Sequence, residues 1–151
     1  MDKLMATLLK MANDIADLRR DVEDLKRREI PAGLWNNYTP ASQTGWTALP
    51  TGNYRYTAIG KLVILHIAMV DGTSNANTAK IALPFTAANF GGSMGGANAY
   101  AVDDGTELTT MSRWAIGANS TTIDFYKDAA VGAWTASGTK RIYCVAIYER
   151  V

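Results

Sequence analysis

Asp103, Asp104 and Glu107 crowd into the stretch "AVDDGTEL", and carboxylates grouped with backbone carbonyls are what a calcium ion takes as ligands. The spacing does not complete a calcium loop, and Asp104-Gly105, like Asp71-Gly72, fits a tight turn instead. His66 is the single histidine, inside the apolar run 62–70. A half-buried structural imidazole is expected there rather than a base or a metal ligand. Cys144 sits between Tyr143 and Val145 and reads as a buried, unreactive thiol. One cysteine per chain excludes an intrachain disulfide framework and a multi-cysteine zinc site.

The glycine-rich "FGGSMGGAN" at 90–98 lacks the Lys and Ser/Thr of a phosphate-binding loop, so it reads as a surface excursion. "NST" at 119–121 matches a glycosylation acceptor. The first residues form no secretory signal, because Asp2, Lys3, Lys10, Asn13 and Asp14 interrupt any apolar run, and the motif reads as a loop. Glycan hydrolysis would need two carboxylates flanking a cleft, and no pair is singled out. No catalytic residue, cofactor or metal is assigned, and the chain is read as a non-enzyme.

Recognition chemistry is better provided for. Aromatic faces beside amide, hydroxyl and carboxylate groups suit sugar rings and their hydroxyls. Loops at 71–77, 90–98, 103–107 and 128–137 carry such groups, with Asn75, Asn77, Asn98, Asp103, Asp104 and Trp134 as candidate receptor contacts. Trp134 stands among Gly132, Ala133, Thr135 and Ser137. It is either a loop anchor packed on the fold or an exposed sugar platform.

Two kinds of element must hold these loops. Over the first residues, apolar positions fall at Met1, Leu4, Leu8, Met11, Ile15, Leu18, Val22 and Leu25, in steps of three and four. This is a heptad seam, with Met1, Leu8, Ile15 and Val22 at a and the others at d. In a parallel assembly Asp14 at g faces Arg19 at e, and Asp21 faces Lys26. Pro31 ends the helix, giving a stalk about 40 Å long at about 1.5 Å per residue. Isolated coils with Ile15 and Val22 at a and Leu18 and Leu25 at d favour two strands.

After Pro31 the pattern becomes β. "NYRYTAIGKLVILHIAMVDG" reads as two strands broken at Gly60, and further strands are expected at 78–83, 97–102, 107–116, 121–127 and 140–149. Both faces of the last one are apolar, so it is central in its sheet or turns one face to another subunit. Short strands with Gly, Asn, Ser and Asp punctuation indicate an antiparallel, jelly-roll-like β-sandwich. The expected organisation is a parallel coiled-coil stalk at 1–30, a linker at 31–46, where Trp35, Tyr38 and Trp46 seal the junction, and a β head at 47–151. Lys and Arg number 15 against 14 Asp and Glu. That balance gives no field of one sign to draw nucleic acid or an anionic membrane, and no apolar run approaches the roughly 20 residues that span a bilayer.

The segment "YRYTAIGKLVILHIAMV" at 54–70 resembles the strand-turn-strand element of bacteriophage tail-fibre and receptor-binding head domains, through Ile59, Gly60, Lys61, Leu62 and Val63. "IALPFTAAN" at 81–89 is similar to the "LPF" element that follows in those proteins. The resemblance implies a homotrimer on a virion whose β head binds a bacterial surface glycan or protein, alongside other virion proteins; the charge balance and hydropathy above lead to no expected nucleic acid partner and no membrane insertion. It supplies no receptor-contact residue. The alternative from another class is a purely structural virion component, a head decoration or tail-tip protein that binds only phage proteins.

Overall fold

The computed structural model describes residues 5, 7, 10, 11, 13–21, 34–98 and 100–151. They divide into two compact units, Met1–Leu34 and Trp35–Val151. In the first, every described residue from 5 to 21 is helical, as the spacing of apolar residues requires. Met11, Ile15 and Leu18 of the expected seam stand 55, 51 and 63 % exposed. Met1, Leu4, Leu8, Val22 and Leu25, the remaining seam positions, lie outside the described residues. Among the described residues no helix is long and apolar enough to cross a membrane.

Within the second unit the described residues form twelve strands: β1 (Asn36–Asn37), β2 (Gln43–Thr44), β3 (Gly52–Ile59), β4 (Leu62–Met69), β5 (Gly72–Thr73), β6 (Ala79–Ala82), β7 (Ser93–Ala97), β8 (Tyr100–Asp103), β9 (Thr106–Glu107), β10 (Arg113–Gly117), β11 (Thr122–Tyr126) and β12 (Thr139–Glu149). They make two antiparallel sheets. Sheet A runs β1-β3-β4-β12-β8-β9, with β5 also paired to β12, and sheet B runs β2-β6-β11-β10-β7.

Local chemistry explains the turns. The β3–β4 hairpin pairs Ile59 with Leu62 across Gly60 and Lys61, and Gly60 takes φ 59° at the first central position, which suits glycine in a two-residue hairpin. The β8–β9 hairpin pairs Asp103 with Thr106, and Asp104 adopts φ 51° in its turn. Alternation then sorts the faces. Val63, Leu65, Ile67 and Met69 of β4 and Ile142, Cys144, Ala146 and Tyr148 of β12 point inward from sheet A, while Ile81, Ile123, Phe125, Trp114 and Ile116 point inward from sheet B. These side chains belong to one hydrophobic cluster. Leu65, Ile67, Ile81, Ile116, Ile123 and Ile142 are all 0 % exposed, and each buried side chain of this size contributes about 1.5–3 kcal/mol.

Three expectations change. Residues 35–46 are not a linker, because β1 pairs with β3, Trp46 bridges to Ser74, and Trp46 is 2 % exposed in the core. Trp46 and the half-buried Tyr38, which packs edge-on against Tyr54 and Tyr56, are therefore part of the β unit itself. The run at 107–116 is interrupted between β9 and β10. The glycine-rich segment is not a loose excursion, since its second half is β7, paired with β10. Glycine is needed there because a Cβ on Gly96 would lie 2.9 Å from the Trp114 ring.

The outer faces of the sheets differ. On sheet A, cross-strand rows read Thr57, Ile64, Ile147, then Arg55, His66, Val145. On sheet B they read Thr44, Lys80, Asp124, Ala115, then Tyr126, Arg113, Ala97. Sheet A turns outward a mixed surface, apolar at Ile64, Val145 and Ile147 and polar along β3, whereas that of sheet B is mainly polar.

Candidate functional site

Two of the expected receptor contacts are interior. Trp134 is 3 % exposed, and its indole Nε1 donates to the Phe125 carbonyl at 2.8 Å. It is the loop anchor of the two alternatives, because its ring completes the core beside Phe125. Asp103 is 4 % exposed. Its carboxylate pairs with Lys127 Nζ at 2.7 Å and accepts from the Thr135 backbone N–H at 3.0 Å and its hydroxyl at 2.9 Å. Burial alone would raise its pKa, but these hydrogen bonds outweigh burial and hold the carboxyl below its ordinary value. Neither residue stands exposed as a surface platform.

Both belong to a polar cross-link centred on Lys140, whose side chain is 0 % exposed. Its ammonium donates to the carbonyls of Gly45, Ala76 and Thr78 at 3.2, 2.9 and 3.3 Å. The Trp46 and Trp134 rings lie 5.4 and 5.5 Å away, so cation–π attraction adds to the carbonyl field. Burial still pushes the ammonium down to about 8, with the Asp103 charge opposing that shift. The cross-link ties together the segments that follow β2 and β5 and the one that precedes β12, where Ser74 also donates to the Thr135 carbonyl at 2.6 Å.

Other expected residues are accessible. Asn75, Asn77 and Asp104 are exposed, whereas Asn98 is half-buried and donates from its amide to the Ser112 hydroxyl at 2.8 Å. His66 is half-buried on the outer face of sheet A against the Trp35 ring, at 6.0 Å between centroids. Burial and the neighbouring Arg55 lower its pKa. Cys144 is buried, with its thiol pushed up to about 12 by desolvation. Among the described residues no three His, Cys, Asp or Glu side chains converge as metal ligands.

The outer face of sheet B holds a better-formed hollow. A cavity of about 210 Å³ is lined by Asn77, Lys80, Asp124, Tyr126 and Val131, with Phe125 and Trp134 also in its wall. Lys80 and Asp124 are cross-strand neighbours and pair at 3.0 Å. Tyr126, two residues on, faces the same way, and the Arg113 guanidinium stacks 5.3 Å from its ring. Arg113 in turn lines a second hollow of about 340 Å³ with Gly95, Gly96, Ala97, Met111 and Ala129. The segment 129–134 contributes to both hollows. Gly132 donates its N–H to the Asp128 carboxylate at 2.8 Å, which closes the turn that brings Val131 and Trp134 to the wall.

This arrangement offers an aromatic face, one carboxylate, one ammonium, one guanidinium and one amide along a shallow polar surface. Such a set matches the alternating C–H faces and hydroxyls of sugar rings. Of the expected contacts, Asn77 and the buried Trp134 meet at this cavity, and Asn75, Asn98 and Asp104 do not line it. Sequence reading missed Lys80, Asp124, Tyr126 and Arg113. Their signal was present: each alternates with a core residue, Ile81, Ile123, Phe125 or Trp114.

No protein-family model matches the chain, and no curated protein matches it at a significant level.

Proposed function

We propose that the chain is a noncatalytic fibre or receptor-binding protein of a bacteriophage virion, a homotrimer that adheres to a bacterial surface glycan. In this reading the N-terminal helix is one strand of a parallel coiled coil, and the β unit is a jelly-roll-like antiparallel sandwich carried as its head. The observation that carries the reading is the polar hollow beside Tyr126, where Asp124, Lys80 and Asn77 surround an aromatic face. Its lining contains one carboxylate, Asp124, already paired with Lys80. That favours holding a glycan over cleaving it, since hydrolysis uses two carboxyl groups across the bond.

Two further features support the phage setting. The hairpin joined by Gly60 and Lys61 coincides with the segment that resembles fibre heads. The exposed Met11, Ile15 and Leu18 leave a helical stripe suited to further copies of the same helix. Three weak sites held on one object, repeated over a virion, raise avidity without a strong single contact. Other virion proteins would be its remaining partners.

Adsorption of fluorescently labelled full chain to a panel of bacterial cells and their purified surface polysaccharides tests the reading. The expected result is binding to at least one of them that falls tenfold or more in Tyr126→Ala at unchanged native mass. Binding that is indifferent to Tyr126→Ala and Asp124→Ala alike would remove the groove from the account.

A further inference from the structure

Charge on the outer face of sheet B does not cancel. Lys80 and Asp124 pair at 3.0 Å, and the second Asp124 oxygen accepts from the Thr122 hydroxyl at 3.5 Å. The acids and bases nearby are also committed, Lys127 to Asp103 at 2.7 Å and Asp128 to the Gly132 N–H at 2.8 Å. Arg113 differs from them. Among the described residues its guanidinium pairs with no carboxylate and donates no side-chain hydrogen bond. It stacks 5.3 Å from the Tyr126 ring, which orients the guanidinium and leaves its N–H edge free for a ligand.

We propose that Arg113 and the hollow beside it form a subsite for an acidic sugar, in which the guanidinium receives the oxyanion of a uronate or a sugar phosphate. The inference rests on the glycan reading above and deepens it, since it names the class of glycan as negatively charged. One uncompensated cation, held on an aromatic ring between two hollows, carries it. The planar fork of a guanidinium meets two oxygens of a carboxylate or phosphate side by side. Neutral sugars offer that fork only weaker, uncharged acceptors.

The strand order leaves room for such a group. Tyr126, Arg113 and Ala97 form one cross-strand row, and β7, which carries Ala97, is the edge of sheet B. Ala97 and Gly95 put little or no side chain on the outer face, so the hollow of about 340 Å³ opens directly beside the guanidinium. Its wall of Gly95, Gly96, Ala97, Met111 and Ala129 contains no carboxylate to compete for Arg113. Because the segment 129–134 walls both hollows, a charged sugar at Arg113 has a second hollow next to it for the adjoining sugar. The whole chain carries a formal charge of only +1, so it exerts no general pull on polyanions. A preference for acidic glycans must then come from this local charge.

Purified bacterial surface polysaccharides, grouped as neutral, uronate-bearing and phosphate-bearing, test this with the full chain. The expected result is binding to an acidic polymer that falls about tenfold or more in Arg113→Gln, as loss of a charge-assisted contact requires. Ala97→Glu keeps the guanidinium but sets a carboxylate opposite it in the β7–β10 pairing, and should give the same loss. Arg55→Gln removes an equal charge from sheet A and should leave binding unchanged. Carboxyl reduction of the bound polymer, which turns each carboxylate into a primary alcohol, abolishes binding if uronate is the source and preserves it if phosphate is. Acidic-polymer binding that survives both Arg113→Gln and Ala97→Glu, or falls equally in Arg55→Gln, overturns the assignment. Binding to neutral polymers alone overturns it and leaves the glycan reading standing. Binding to no polysaccharide overturns both.

Discussion

The ammonium of Lys140 sits 5.5 Å from the ring of Trp134, buried with it and facing three backbone carbonyls. The pair explains why a tryptophan in a stretch of small residues serves the interior. Its ring shields a cation that holds the loops around β5 and β12 in place. A buried charge without such partners would cost several kcal/mol.

Replacing Lys140 with Met should therefore destabilise the β unit by about 3–5 kcal/mol, because the carbonyls of Gly45, Ala76 and Thr78 lose their donor. Denaturant unfolding measures it. The pH dependence has a defined sign. The folded ammonium titrates at about 8 and the free one at 10.5, so between them the unfolded chain holds a proton the folded chain has shed. Wild-type stability should rise relative to Lys140→Met from pH 8 upward, by at most about 1.4 kcal/mol per pH unit. Cys144, Tyr54 and Tyr148, pushed up to about 12, act oppositely in both proteins. Their ordinary values are 9.0 for the thiol and 10.0 for the phenols, so stability is lost as the unfolded groups ionise above those values.

Asp103→Asn should cost about 1–3 kcal/mol at neutral pH by removing the charge that Lys127 and Thr135 address. The folded carboxyl titrates below its ordinary 3.8. Its contribution is thus complete above that value and lost as pH falls through the folded pKa. Unfolding curves of the two proteins should converge in acid.

Gly96→Ala places a methyl 2.9 Å from the Trp114 ring, which is 6 % exposed and held in the core. The expected loss is about 1–3 kcal/mol from overpacking, read as a lower unfolding midpoint at unchanged m-value.

Asp124→Ala separates binding from folding. Its ion pair with Lys80 is part-exposed, with side-chain exposures of 42 % for Lys80 and 27 % for Asp124, so stability should fall by about 1 kcal/mol or less. On the proposed glycan-binding reading, adsorption to whichever polysaccharide the unmodified chain binds should fall tenfold or more in the same protein.

Much of the β unit was legible where local chemistry decides. Gly60 marks the β3–β4 turn, Asp104-Gly105 marks the β8–β9 turn, and the alternation of Ile142, Cys144, Ala146 and Tyr148 gives the inward face of a central β12. What escaped depends on partners far along the chain. Asp103 looks like a surface acid until Lys127 and Thr135 reach it, and Trp134 looks free until its indole meets Phe125. Glycines at 91–96 disfavour a strand on their own, and only the Trp114 ring makes Gly96 necessary in β7. The hollow was hidden because Lys80 and Asp124, 44 residues apart, become neighbours only through the β6–β11 pairing.

The proposed avidity requires that the chain assembles in threes, and sedimentation equilibrium of the full chain tests this most directly. The account predicts a species of three times the 16.3 kDa chain mass, maintained on dilution into the low micromolar range. A concentration-independent 16.3 kDa monomer would contradict it.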